Sequence, residues 1–253
     1  MAYEPPSAFV KRIIAEEIAT ASRAYKNMAD NGIKTGTVIM SFLYGHGIMI
    51  GADRQVTGGS KIVRNNFSKI VQTSPFSAIS FCGQVVMAQA VSQIYKRLLS
   101  EVKFRIDEVT PLHGQIEMIE QMMLQLGIAT GFDSGVLIHL SAMNMEKKRP
   151  YLLEFYDDGS AFKPDSTYIS EGSGGTEART TLKNHFKVND YKKLGADDAA
   201  RLALTTIQTS SECDAGVGDP RIFGATLAII DADNGFSFID QKKTWLLIKE
   251  VCK

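Results

Sequence analysis

Cysteine is scarce in this chain, neither sign of charge is in excess, and no long hydrophobic run occurs. The three cysteines, Cys82, Cys213 and Cys252, are an odd number without metal-ligand spacing. They point to a reducing compartment with no disulfide framework, and to a protein that uses no metal. With 28 basic and 28 acidic residues, the chain gives no electrostatic reason to bind nucleic acid or an anionic membrane. No stretch reaches the eighteen or so apolar residues of a membrane span, and the amino end lacks the basic-then-apolar order of a secretory signal. Internal repeats and low-complexity linkers are also missing. The expectation is a soluble cytoplasmic protein with no cofactor.

What the chain does have is clear periodicity. From Phe9 to about Met28 the residues Phe9, Val10, Ile13, Ile14, Ile18, Ala21, Tyr25 and Met28 recur at helical spacing, and Asn31-Gly32 is a fitting stop. A helix over about 9–30 with one apolar stripe must lay that stripe on its own domain or on a neighbouring subunit. Two apolar runs around Gly45-His46-Gly47 then read as a strand hairpin, with a polar loop at Thr57 to Ser60 after it. Further strands follow near 69–72 and 77–81, then helices near 85–101 and 115–130. Strands return at 134–142, 150–156 and 166–170, helices at 176–186 and 197–211, and a last hairpin at 223–231 and 236–239. The tail from Lys242 to Val251 reads as a short helix. Elements grouped in this way favour an α+β fold with antiparallel sheets and helices outside them over a doubly wound parallel sheet. Gly172-Ser173-Gly174-Gly175 precedes a helix as a phosphate cradle would, but it lacks the lysine and the spacing of one.

The centre of the argument is Gly36-Thr37-Val38-Ile39. If the bond before Thr37 were cut, one residue would carry both a hydroxyl nucleophile and an α-amine with a pKa of about 7.7 to 8, able to act as its base. Gly36 suits such a cut because it lets the backbone bend close to the hydroxyl. Gly-Thr-Val also opens ordinary strands, so the motif alone decides nothing. Asp53 ends the run Ile48-Met49-Ile50-Gly51-Ala52 and Lys69 opens Lys69-Ile70-Val71. The steps from Thr37 to Asp53 and from Asp53 to Lys69 are both 16 residues, long enough to bring neighbouring antiparallel strands back to one end of a sheet.

These motifs, with Gly51-Ala52-Asp53-Arg54, Ser68-Lys69-Ile70, Cys82-Gly83 and Gly172-Ser173-Gly174-Gly175 in this order, resemble the β-type subunits of the proteasome, members of the N-terminal-nucleophile hydrolases. The resemblance extends more weakly to Asp214 and to Ile229-Ile230-Asp231-Ala232-Asp233. It implies a four-layer αββα sandwich, a leader over residues 1–36 removed by self-cleavage between Gly36 and Thr37, and a catalytic domain over 37–253. By the same resemblance Thr37 is the nucleophile, Asp53 and Lys69 are its partners, Gly83 is the oxyanion donor, and Ser173 and Asp214 orient the terminal amine. The implied partners are other β-type subunits, α-type ring subunits, an unfolding ATPase and unfolded polypeptide substrates. Val56, Phe67, Val71, Phe81, Val85 and Gln89, beside Thr57, would line the pocket for the residue before the scissile bond. They carry no charge, so cleavage after apolar, small residues is expected. Val217 stands where active relatives carry a hydroxyl, which leaves the amine to Ser173 and water or lowers activity. The leader helix is also similar to that of α-type subunits. Two other readings therefore stay open: a non-catalytic ring scaffold that keeps its leader, and a proteasome-like homologue with transpeptidase activity.

Overall fold

The computed structural model describes residues 6–26, 36–58, 61–106 and 110–252. Two five-stranded antiparallel sheets lie face to face between two helix layers. The first sheet is built around β1 (Ile39–Tyr44) and β2 (Gly47–Asp53), paired through Ile39↔Ala52 to Tyr44↔Gly47. The second contains β5 (Ile70–Ser74), β6 (Ser77–Gly83), β7 (Val136–Asn144), β8 (Arg149–Phe155) and β9 (Ala161–Phe162) in that order. β10 (Tyr168–Glu171) flanks β1 in the first sheet, while β11 (Ala225–Asp231) and β12 (Gly235–Phe238) extend it beyond β2.

The strands near the site are apolar on both faces because both faces are covered. On β1, Met40, Phe42 and Tyr44 point to the helices α4 (Gly175–Val188), α5 (Ala196–Cys213) and α7 (Gln241–Val251), and Ile39 points to the other sheet. On β2, Ile48, Ile50 and Ala52 fill the space between the sheets. A polar contact also crosses that space: Ser141 Oγ donates to Ser41 Oγ at 2.9 Å, with both residues buried.

The second sheet is covered by α2 (Val85–Ile106) and α3 (Leu112–Thr130), and these carry the amino-terminal helix α1 (Pro6–Lys26). Val10, Ile14 and Ile18, spaced four apart, bury one stripe of α1 in the same core, and Glu17 pairs with Arg97 of α2 at 2.6 Å. α1 therefore docks on its own chain. Residues 27–30 of the expected helix lie outside the described residues.

Three expectations need correction. The polar stretch after Asp53 is no plain loop: β3 (Val56–Gly58) and β4 (Lys61–Arg64) form a two-stranded ribbon with a register shift at Val56/Thr57. The helix expected to end at 101 runs to Ile106. Phe223 is not in a strand but closes α6 (Pro220–Phe223), one helical turn that Asp219 caps by accepting from the Arg221 N–H at 2.8 Å. Among the described residues no helix is long and apolar enough to cross a membrane.

Candidate active site

Thr37 enters β1 at the end of the sandwich where β2 and β6 finish, and it is 1% exposed. Its backbone is held on every side. The Thr37 N–H donates to Ser173 Oγ at 3.0 Å, and its carbonyl accepts from the Gly174 N–H at 3.1 Å. The preceding Gly36 N–H donates to Thr57 Oγ1 at 2.9 Å, and the following Val38 N–H donates to Asp53 Oδ1 at 2.9 Å. Two glycines make this approach possible. Gly172 has φ +102°, and a Cβ there would stand 2.2 Å from the Thr37 carbonyl oxygen. A Cβ on Gly36 would stand 2.1 Å from Gly216 Cα, so only bare backbone passes between these segments.

Asp53 is fully buried, and its carboxylate is the hub of the site. Oδ1 takes the Val38 N–H and the Lys69 ammonium, the latter at 2.6 Å, while Oδ2 takes the Gln55 N–H at 3.0 Å and the Gly218 N–H at 3.1 Å. Four donors on one carboxylate compensate its removal from water. Lys69 is 1% exposed, and burial pulls its ammonium below the ordinary lysine value while Asp53 opposes that pull. Its carbonyl accepts from the Phe81 N–H at 3.1 Å, which ties it to β6. Asp53 thus ties the Lys69 ammonium to the peptide that follows Thr37.

The other expected residues surround this hub. Gly83 ends β6 with φ +93°, where a Cβ would lie 1.6 Å from the Gly135 carbonyl oxygen. Asp214 follows α5 and shapes the 214–218 loop, Oδ1 accepting from the Gly216 N–H at 2.8 Å and its carbonyl from the Val217 N–H at 3.0 Å. Among the described residues no hydrogen bond joins Asp214 to Ser173. Val217 packs in the core beside Gly174.

Of the expected pocket, Val56, Phe67 and Phe81 are buried together, the two phenyl rings meeting edge to face at 6.1 Å. Val71 and Val85 pack partly buried against the same cluster, whereas Gln89 faces outward on α2. Thr57 is buried and reaches Gly36 rather than standing free. Gln55 was not foreseen. Its amide donates to the carbonyls of Ala215 at 3.2 Å and Gly216 at 3.3 Å and so clamps the loop against the site. Its place two residues after Asp53 was the available signal.

Residues 33–221 match the proteasome subunit family, well over half of the chain. The chain belongs to that family. With the family comes the N-terminal-nucleophile hydrolase fold that the two packed sheets display. Among curated relatives, this proteasome-family chain is similar to the proteasome subunit beta of Saccharomonospora viridis, with 24% identity over 86% of this chain and 76% of that protein. It is also similar to the proteasome subunit beta of Acidimicrobium ferrooxidans, with 25% identity over 82% of this chain and 75% of that protein. A third relative is proteasome subunit beta 1 of Streptomyces avermitilis, with 24% identity over 88% and 78%.

Proposed function

We propose that this chain is the precursor of a proteasome β-type subunit, a threonine endopeptidase that cuts unfolded polypeptides within a ring. The observation that carries the reading is the hub at Asp53, which joins the peptide after Thr37 to the Lys69 ammonium in a site closed to water. In activation, Thr37 Oγ adds to the Gly36 carbonyl carbon, the C–N bond breaks to leave an ester and a free amine on Thr37, and water hydrolyses the ester. The freed amine then takes the hydroxyl proton in each later attack, and Lys69 favours the alkoxide while Asp53 holds it. Gly83 supplies the N–H for the tetrahedral oxyanion, and Ser173, already on the Thr37 nitrogen, positions the new amine. Cleavage follows apolar residues, because Val56, Phe67 and Phe81 present no charge. The enzyme works in the cytoplasm with other β-type subunits, α-type rings and an unfolding ATPase.

A second reading has its own support. Three buried side chains of α1 anchor the leader, and Val217 offers no hydroxyl beside the amine, as a scaffold subunit that keeps its leader would have it. Peptide substrates with apolar, basic and acidic residues before the scissile bond, assayed on the wild type and on Thr37→Ala, separate the two. The peptidase reading expects turnover after apolar residues that Thr37→Ala abolishes. Equal rates in both proteins, or none, favour the scaffold.

A further inference from the structure

On the flank of the sandwich, where the edge strand β10 of one sheet passes β8 and β9 of the other, lies a cavity of about 560 Å³. That is within the range of small-molecule sites, roughly 300–1,000 Å³. Glu154 of β8 and Glu171 of β10 stand in it, and Tyr156, Phe162 and Tyr168 supply aromatic wall. Alternation along the strands explains why two glutamates point between sheets whose other inward residues, Leu152 and Ile169, are apolar.

The two carboxylates are unequally served. Glu171 is paired with Arg179 of α4, which also donates to the Ser170 carbonyl at 2.7 Å. Glu154 is 6% exposed, yet the donor it receives is one phenol, Tyr156 Oη at 3.3 Å on Oε2. Behind it, His139 of β7 is fully buried and directs Nε2 at Glu154 Oε1 from 3.8 Å, beyond hydrogen-bond reach. Neither ring nitrogen of His139 has a partner among the described residues. Burial and then the neighbouring Glu171 push the Glu154 carboxyl up, and Arg179 and the Tyr156 phenol oppose them without reversing the shift. With His139 neutral, two carboxyls share the one cation of the group: Arg179 pairs with Glu171 and acts on Glu154 only through space. A buried carboxylate left in this state is costly unless a donor reaches it.

We propose that this cavity is a binding site for a guanidinium or ammonium cation, seated between the carboxylates of Glu154 and Glu171 and walled by Tyr156, Phe162 and Tyr168. The cation donates to the underserved Glu154 oxygens, and the aromatic faces attract its charge. Free diamines and guanidines, and basic side chains of a peptide, share this chemistry. The site does not depend on the peptidase reading, because none of its residues belongs to the Thr37 centre.

The test is calorimetric titration of the full chain with agmatine and, as an uncharged control of similar length, N-butylurea. Saturable one-to-one agmatine binding with no N-butylurea binding is expected, and Glu154→Gln should weaken it about tenfold or more, as loss of a charge-assisted bond does. Phe162→Ala, on the exposed rim, should weaken it by a smaller factor and keeps the test open if Glu154→Gln fails to fold. Competition by a short arginine-containing peptide assigns the cation to a polypeptide, and its failure to compete assigns it to a free small molecule. No saturable agmatine binding, equal binding of the uncharged control, or unchanged affinity in both variants would overturn the proposal.

Discussion

The ammonium of Lys69 stands 2.6 Å from Oδ1 of Asp53, and both side chains are essentially out of contact with solvent. Sixteen residues separate them in sequence, yet the pair sits one hydrogen bond from the peptide that follows Thr37. Removing one member of a buried ion pair leaves the other uncompensated. Lys69→Met should therefore cost about 3–5 kcal/mol of stability, the usual range for such a break. It should also stop any cleavage at Gly36. Urea unfolding measures the first effect and mass spectrometry the second, and an unchanged urea midpoint would contradict the pairing.

Gly36→Ala puts a methyl group 2.1 Å from Gly216 Cα, backbone against backbone, where no flexible side chain can yield. The segment before Thr37 must then shift. A displacement near 1 Å at a reacting bond typically costs about 100-fold in rate. The half-time for loss of the leader should lengthen by about that factor, and the urea midpoint should fall, since overpacking against rigid backbone costs about 1–3 kcal/mol.

The hydroxyls of Ser41 and Ser141 meet at 2.9 Å between the sheets. Ser141→Ala strands a buried hydroxyl and should cost about 1–3 kcal/mol, whereas the double change to alanine removes both partners and should cost less than the single one. A double-mutant cycle in urea reads the coupling directly.

His139 is held neutral by burial, assisted by Arg179, with its pKa lowered to about 3. The unfolded chain takes up its proton near pH 6.5 and the native one only near pH 3, so stability falls as pH drops through that window, by at most about 1.4 kcal/mol per pH unit. Glu154 acts in the opposite sense, since a raised carboxyl pKa favours the native state on the acid side. Subtracting the stability profile of His139→Leu from that of the wild type isolates the histidine. A flat difference between pH 6.5 and 4 would show that the imidazole is protonated in the native fold.

Much of this architecture was legible because burial leaves periodic traces. The runs of β1 and β2, the α1 stripe and the equal spacing of Thr37, Asp53 and Lys69 all follow from strands and helices that hide one face or both. The ribbon after Asp53 was not legible, since Thr57-Gly58-Gly59-Ser60 has the composition of a turn although Thr57 and Gly58 pair with Ile62 and Lys61. Nor was the contact of Gly36 with Gly216, which leaves no side-chain signature in either segment. Gln55 escaped because its amide bonds only to carbonyls of a distant loop. His139 and Glu154 sit singly within apolar strands, and only the register of β7 against β8, which makes them direct cross-strand partners, brings them together.

The claim beneath all of this is that the bond between Gly36 and Thr37 is cut by the chain itself. Intact mass spectrometry of the purified protein beside Thr37→Ala tests it most directly. The account predicts that the wild type loses residues 1–36 and begins at Thr37, while the alanine variant keeps full length. A wild type that stays whole, or a variant trimmed at the same bond, would contradict it.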